Sequence, residues 1–377
     1  MKIHILTGHY TPQIHPRAFR ASELALEFKR LGHDVTVTVL TEIIGFNYEE
    51  YAIQTGISIK NLGLYKHSLD ESLVSKKSTF LTKTKEFVSE YFFAGRLFLN
   101  SKKIADLLEI EEGTELIITL STPFMDILGV SKYIERLRNR KTFVAIADSG
   151  DPFYYSKQYG KAFWFYWVEK NAYKQYDYLT IPVETAIPSY NKLIPTDKIK
   201  IIPQAFNLTD TKLYEGSFGD PIKFAYAGVF YWDIRNPEFL FKNLENLDID
   251  FEFHIFMRYA DAKLNEVLSH YPKLQKRIRI RLSVPRKELL YELSAMHFLI
   301  NINNISNTQI PSKIIDYRIA NRPILSFNSS DFCYDTLIQF MSGNYEGQMH
   351  VDITKFDIKN VAQQFLELYR NKKSNQS

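Results

Sequence analysis

The chain is predicted to be an α/β protein built from two Rossmann-like, doubly wound domains facing a cleft, on three observations. Short β-branched runs alternate with helical patterns along the chain, the alternation restarts after Gly219-Asp220-Pro221, and 377 residues exceed one ordinary core.

The elements follow in order. Residues 2–7 (KIHILT) form an apolar run that ends at Gly8. The loop GHYTPQIHP leads into a helix in which Ala18, Ala21, Leu24, Ala25, Phe28 and Leu31 recur at helical spacing. Gly32 stops that helix, and residues 35–40 are the next strand, so the opening is a βαβ unit with a right-handed crossover. Its loop carries no G-x-G-x-x-G, which removes a dinucleotide fingerprint from the place where one would fall. Strands are expected again at 115–120, 142–147 and 178–183, and the segment 198–206 reads as a last strand running into a linker. The first domain is therefore placed at 1–204 and the second at 205–377, with strands near 222–227, 251–256, 278–283, 298–303 and 324–327. A last helix, at about 357–373, is placed so that it is able to pack back on the first domain. Ligands of such sheets bind beyond the carboxyl ends of the strands, here in the expected cleft.

Bulk chemistry excludes several classes. A net charge of +4 is small for this length, so no nucleic-acid partner is expected. A single cysteine, Cys333, rules out an internal disulfide or a cysteine zinc cluster and fits a reducing compartment. MKIHILTGHY carries no leader pattern, and no run reaches the roughly 18 apolar residues of a membrane helix. A cytoplasmic protein is expected, with any membrane contact peripheral, on the inner face of the plasma membrane. The stretch from about 60 to 103 holds Lys76, Lys77, Lys83, Lys85, Lys102 and Lys103 among Phe80, Phe87, Tyr91, Phe92, Phe93 and Phe98. It reads as a basic amphipathic helix, either packed with a solvated face or lying on an anionic bilayer. The aromatic stretch 154–176, with Trp164, Phe165 and Trp167, reads as a similar helix, either packed into the core or in contact with a membrane.

The most informative segment is Ile310 to Ser326, which reads as loop, short helix, tight stop and strand. Ser312 suits an N-cap, Asn321 suits the left-handed residue past the helix, and Pro323 blocks continuation. A helix start presents unpaired N–H groups and a positive dipole end to a phosphate. Lys313 and Asp316 lie one turn apart, one suited to a phosphate and the other to a pair of sugar hydroxyls. That combination points to a nucleotide-sugar site. Arg235 precedes Asn236-Pro237-Glu238, a helix-start signature, where it would clamp a diphosphate or pair with Asp233 or Glu238. Asp148 and Asp151 flank Gly150 at a strand end, where a carboxylate would either orient an acceptor hydroxyl or close an Asx turn before Pro152. Gly8, His9 and His15 occupy the first loop; glycine admits a close ligand, and the histidines serve either a ligand or the loop itself. Paired metal ligands at recognised spacing and a DxD run are both absent, so no metal cofactor is expected.

Four segments carry a family resemblance: HILTGHYTPQIHPRAFRASELALEFKRLGHDVTVTV, VAIADSGDPF, KFAYAGVFYWDIRNPEFLFKNL and PSKIIDYRIANRPILSF. Together they resemble the bacterial retaining glycosyltransferases of the GT-B fold, family 4-like and of the surface-polysaccharide type. The resemblance implies transfer of a sugar from a nucleotide-diphosphate sugar to a saccharide or lipid-linked saccharide, with retention and without metal, in capsule, O-antigen or exopolysaccharide synthesis. It implies donor contacts from Gly8, Gly228, Arg235, Ser312, Lys313 and Asp316, catalysis by Asp151, Arg235 and Lys313, and an acceptor side of His9, His15, Asp148 and Asp151. Departures accompany it. Where many members carry two Glu eight positions apart, Thr308 stands at the first and Asp316 at the second. The usual Gly-Gly of the first loop is replaced by His15-Pro16-Arg17-Ala18, and Gly228-Val229 lacks the usual arginine, for which Arg235 is the substitute. Two rival readings stay open: a nucleotide-sugar epimerase using Asp151 with His9, and a non-catalytic sugar- or nucleotide-binding subunit, motivated by Thr308 and Val229.

Overall fold

The structure, a computed structural model, describes residues 1–13, 15–67, 91, 97–121, 123–137, 142–155, 162–208, 212–230, 232, 236–282, 284–303, 312–328 and 331–374. It divides into two compact units, Met1–Asn207 with Thr354–Ser377, and Leu208–Ile353. Each is a parallel sheet covered by helices on both faces.

The first unit begins with β1 (Lys2–Thr7), α1 (Pro16–Arg30), β2 (Asp34–Ile43), α2 (Tyr48–Thr55) and β3 (Ser58–His67). It continues through α3 (Leu97–Leu107), β4 (Thr114–Ser121), α4 (Phe124–Arg136), β5 (Val144–Ser149), α5 (Phe165–Lys174), β6 (Tyr178–Ile181), α6 (Ile187–Tyr190) and β7 (Ile199–Ile201). The sheet order is β3-β2-β1-β4-β5-β6-β7, every pair parallel. Strands buried on both faces carry apolar runs, and Leu116–Ile118 of β4 and Val144–Ala147 of β5 are such runs, which makes them readable. One face packs Leu6, Ile117, Ala145 and Leu179 under α3, α4 and α5. The other packs Ile5, Val37, Ile118 and Ile146 under α1 and the final helix, α13 (Ile358–Ser374).

The second unit contains β8 (Ile222–Ala227), α7 (Glu238–Glu245), β9 (Phe251–Met257), α8 (Ala262–Leu268), α9 (Pro272–Arg277), β10 (Ile278–Leu282), α10 (Arg286–Ser294), β11 (Phe298–Ile302), α11 (Ser312–Ile319), β12 (Ile324–Phe327) and α12 (Tyr334–Met341). Its sheet order is β10-β9-β8-β11-β12, again parallel throughout. The chain returns to the first unit where the Phe206 N–H donates to the Phe356 carbonyl at 2.8 Å and the Ile358 N–H to the Phe206 carbonyl at 2.9 Å. Asn321 takes φ 54°, the left-handed stop expected of it after α11.

Two regions depart from expectation. Residues 58–67, which overlap the beginning of the stretch read as a basic helix, form the edge strand β3. Its register against β2 shifts between Val39 and Thr41, opposite Gly63 at φ 56°, so a bulge breaks the alternation by which a strand is recognised. Lys76, Lys77, Lys83, Lys85, Phe80, Phe87, Phe92 and Phe93 lie outside the described residues; Lys102, Lys103 and Phe98 belong to α3. Of the stretch 154–176 expected to be a helix, Phe165–Lys174 is one and 156–161 lie outside the described residues. Phe165 is buried as expected, but Trp167 points outward and is 56% exposed.

Candidate functional site

In a doubly wound sheet the loops part where the strand order reverses, and ligands enter the resulting crevice at the carboxyl ends. Here the reversal falls between β1 and β4 in the first unit and between β8 and β11 in the second.

At the second of these points stands Lys313. The first turn of α11 carries it back over the sheet edge, and its side chain is buried. Its Nζ lies 3.4 Å from the carbonyl of Ile302, the last residue of β11, and 4.3 Å from the ring centroid of Tyr226 on β8. A carbonyl and a ring face both attract an ammonium group. The Tyr226 hydroxyl donates to the Val229 carbonyl at 3.1 Å, and its ring stacks on Phe230 at 4.4 Å, which fixes the platform. Behind it the Tyr317 hydroxyl accepts the Ala227 N–H at 2.7 Å and donates to the Ile300 carbonyl at 3.0 Å. Tyr317 thus ties β8 to β11 just before they part.

Gly228 ends β8 with φ 135°, a conformation that strains any residue carrying a Cβ, and its N–H donates to the Phe256 carbonyl at 2.9 Å. Ser312 is the first residue of α11 rather than the residue before it. Asp316, one turn after Lys313, accepts two bonds on Oδ1 from Arg286 of α10, from Nε at 3.0 Å and Nη2 at 2.9 Å. Burial pushes the Asp316 carboxyl up and the Arg286 guanidinium pulls it back, leaving it above the ordinary carboxylate range. Arg235 and Thr308 lie outside the described residues.

The first unit treats its expected residues differently. The Gly8 Cα approaches the start of α4 so closely that a Cβ would stand 2.8 Å from Asp126 Oδ2 and 2.9 Å from Pro123 Cδ. Glycine is needed there for packing. Asp126 itself is fully buried, and burial pushes its carboxyl well above the ordinary range. His9 and His15 stack with centroids 4.1 Å apart. His9 Nδ1 meets Gln13 Oε1 at 3.1 Å, and His15 caps α1 by accepting the Arg17 N–H on Nδ1 at 3.2 Å. The two rings therefore brace the loop into α1.

Asp148 and Asp151 part company. Asp148 is fully buried and its oxygens meet four side-chain donors: Arg17 Nη2 at 2.9 Å, Arg20 Nε at 2.7 Å, Arg20 Nη2 at 2.9 Å and Thr180 Oγ1 at 2.7 Å. Burial alone would raise its carboxyl, but Arg20 and Arg17 outweigh that and hold it below the ordinary range. Such a carboxylate has no lone pair left to orient a hydroxyl; it locks α1 to β5. Asp151 is exposed in the following loop, and its carbonyl accepts from Ser149 Oγ at 3.1 Å.

Sequence reading overlooked Tyr226, Tyr317 and Arg286. Arg286 follows Pro285 as the first residue of its helix and would have been found by asking what faces Asp316. Among the described residues no group of three or more His, Cys, Asp or Glu side chains is placed to hold a metal ion, and no helix is long and apolar enough to cross a membrane.

Two parallel sheets, each flanked by helices, define a two-domain α/β architecture of the GT-B kind. No protein-family model and no curated protein matches the chain. Solved structures do. A glycosyltransferase from Rickettsia africae ESF-5 superposes with TM-score 0.63 at 13% identity over 98% of both chains. Anabaena HepE, solved in complex with UDP, gives 0.59 at 11% over 98% of this chain and 100% of that one. The lipopolysaccharide outer core galactosyltransferase WaaB gives 0.55 at 11% over 99% and 100%. At these identities the likeness shows the fold.

Proposed function

We propose that the protein is a glycosyltransferase that moves a sugar from a nucleotide-diphosphate sugar to a saccharide or lipid-linked saccharide hydroxyl. The transfer is retaining and metal-independent, in bacterial surface-polysaccharide synthesis. The observation that carries the reading is Lys313, a cation at the strand-order reversal of the second sheet. A similar fold solved with UDP supports it. In this reading the Lys313 ammonium stabilises the departing diphosphate, Gly228 lets the backbone approach it, and Asp316 accepts from ribose hydroxyls. The start of α11 at Ser312 adds peptide N–H groups, and Arg235 supplies a second cation. Asp151 orients the acceptor hydroxyl. Calorimetric titration with UDP and GDP tests the donor side. Lys313→Ala should weaken binding of the matching diphosphate roughly tenfold or more, the scale of a lost charge-assisted hydrogen bond, while acceptor binding changes little. Equal loss of both would overturn the assignment. Incubating donor without acceptor separates the rivals: an epimerised donor indicates the epimerase, and binding without turnover on any acceptor indicates the subunit.

A peripheral contact with an anionic membrane belongs to the same reading. Phe163 and Trp167 are 72% and 56% exposed on one stripe of α5 and its entry, with Lys170 Nζ 5.5 Å from the Trp167 ring. Phe98 on α3 stacks on Phe165 with centroids 6.0 Å apart, and Lys132 Nζ lies 5.8 Å from the Phe98 ring. Exposed rings bordered by lysines suit a headgroup layer. Vesicles containing phosphatidylglycerol should sediment the protein at low salt and release it at high salt. Salt-insensitive or absent sedimentation removes this element.

A further inference from the structure

We propose that Glu169 of α5 is a positioning residue for Asp151, holding the loop that carries it through two consecutive backbone N–H groups. The inference rests on the role given above to Asp151. The loop from Gly150 to Tyr155 leaves β5 without a strand or helix of its own. Glu169 is fully buried and its carboxylate reaches that loop, accepting the Phe153 N–H on Oε1 at 3.0 Å and the Tyr154 N–H on Oε2 at 2.8 Å. Pro152, which has no N–H, separates this grip from Asp151 by one residue. From the other side Ser149 Oγ donates to the Asp151 carbonyl at 3.1 Å. Ser149 is held in turn by Tyr190 at 2.9 Å and by the Tyr173 hydroxyl at 3.2 Å. The Phe153 ring stacks on Phe124 at 4.5 Å, closing the loop against α4.

A buried carboxylate is costly unless paired or hydrogen-bonded. Among the described residues no Lys or Arg forms an ion pair with Glu169, so its compensation comes from the two loop amides. The purpose that explains a carboxylate here is that both of its oxygens accept. An amide would turn one N–H toward another. Burial pushes the Glu169 carboxyl up to about 7, with the Phe153 and Tyr154 amides and Tyr173 opposing. The other titratable groups that feel its charge are Tyr155 in the loop and Tyr190 of α6, and Tyr190 in turn feels Asp151 and Arg17. The grip therefore weakens as pH falls through neutrality.

The test compares wild type, Glu169→Gln and Ser149→Ala. Hydrogen exchange at the Phe153 and Tyr154 amides reads the grip without reference to activity. Protection should be high at pH 8, reduced at pH 6, and lost for at least one of the two amides at both pH values in Glu169→Gln. In transfer assays Glu169→Gln should raise the acceptor KM roughly 10- to 100-fold, the scale of a misplaced reacting group, and abolish the acid limb of kcat/KM near pH 7. The diphosphate Kd should stay within about twofold, since Glu169 is none of the residues given a donor contact above. Ser149→Ala, which leaves Glu169 in place, should raise the acceptor KM less and keep the acid limb. Unchanged amide protection in Glu169→Gln overturns the grip. Protection lost with acceptor KM unchanged overturns its service to Asp151. If Glu169→Gln does not fold, the loss of the acid limb in Ser149→Ala overturns the proposal by itself. Wild type that binds no diphosphate at all sinks the transferase reading instead, while the exchange result stands.

Discussion

The two sheets share one topology and use charge at their rims in opposite ways. In the first unit Arg17 and Arg20 are spent on Asp148, whose two oxygens are saturated in the interior. In the second unit Lys313 meets a carbonyl and a tyrosine ring, and Asp316 meets one guanidinium from a neighbouring helix. Two sheets of the same strand order thus carry different side-chain chemistry at their rims, and the order alone does not say what a rim charge meets. A carboxylate at a strand end is not a site by position alone: Asp148 and Asp151 stand three residues apart and only one of them reaches solvent.

Four variants break or sharpen this contrast. Asp148→Ala should do the most damage, leaving two buried guanidiniums without their carboxylate. A loss of about 3–5 kcal/mol is expected, the scale for removing one partner of a buried pair, and chemical denaturation would reveal it. A loss within about 0.5 kcal/mol, the scale of an ordinary surface change, would mean Asp148 is not the lock. Gly8→Ala should cost about 1–3 kcal/mol, because the new Cβ meets the Pro123 ring as well as Asp126; a thermal midpoint equal to wild type would contradict the close approach. Arg286→Ala should cost about 1 kcal/mol or less at this partly exposed pair. Its pH dependence is more telling. The Asp316 carboxyl lies above its unfolded value, so the folded state holds its proton longer and stability falls as pH rises from the unfolded to the folded value. Without Arg286 that fall should steepen and extend to higher pH; an unchanged stability–pH curve would show the pair to be uncoupled. Trp167→Ala should leave stability within about 0.5 kcal/mol, as an exposed residue does, while lowering vesicle sedimentation. An unfolded variant would place Trp167 in the core after all.

Much of the fold was legible because parallel strands buried on both faces carry apolar runs, as at Leu116–Ile118 of β4, Val144–Ala147 of β5 and Phe298–Ile300 of β11. The turn at Asn321 was legible because few residues tolerate its backbone. The edge strand β3 was not, since a bulge and one solvated side dilute its pattern. At the candidate site, Lys313 was legible from its place at a helix start, but Tyr226 and Tyr317 looked like any core tyrosine until the strands were assembled. Asp148 misled because a strand-end carboxylate reads alike whether two arginines from a distant helix cover it or water does.

The final helix has a consequence for the order of assembly. Val361, Ala362 and Phe365 fill the layer beside α1, so the first unit is completed by residues encoded after the second. On the ribosome the intervening Rossmann unit emerges whole while its predecessor still lacks a wall. A nascent chain stalled before residue 358 would therefore carry one finished lobe and one with bare aliphatic surface, a natural client for a chaperone.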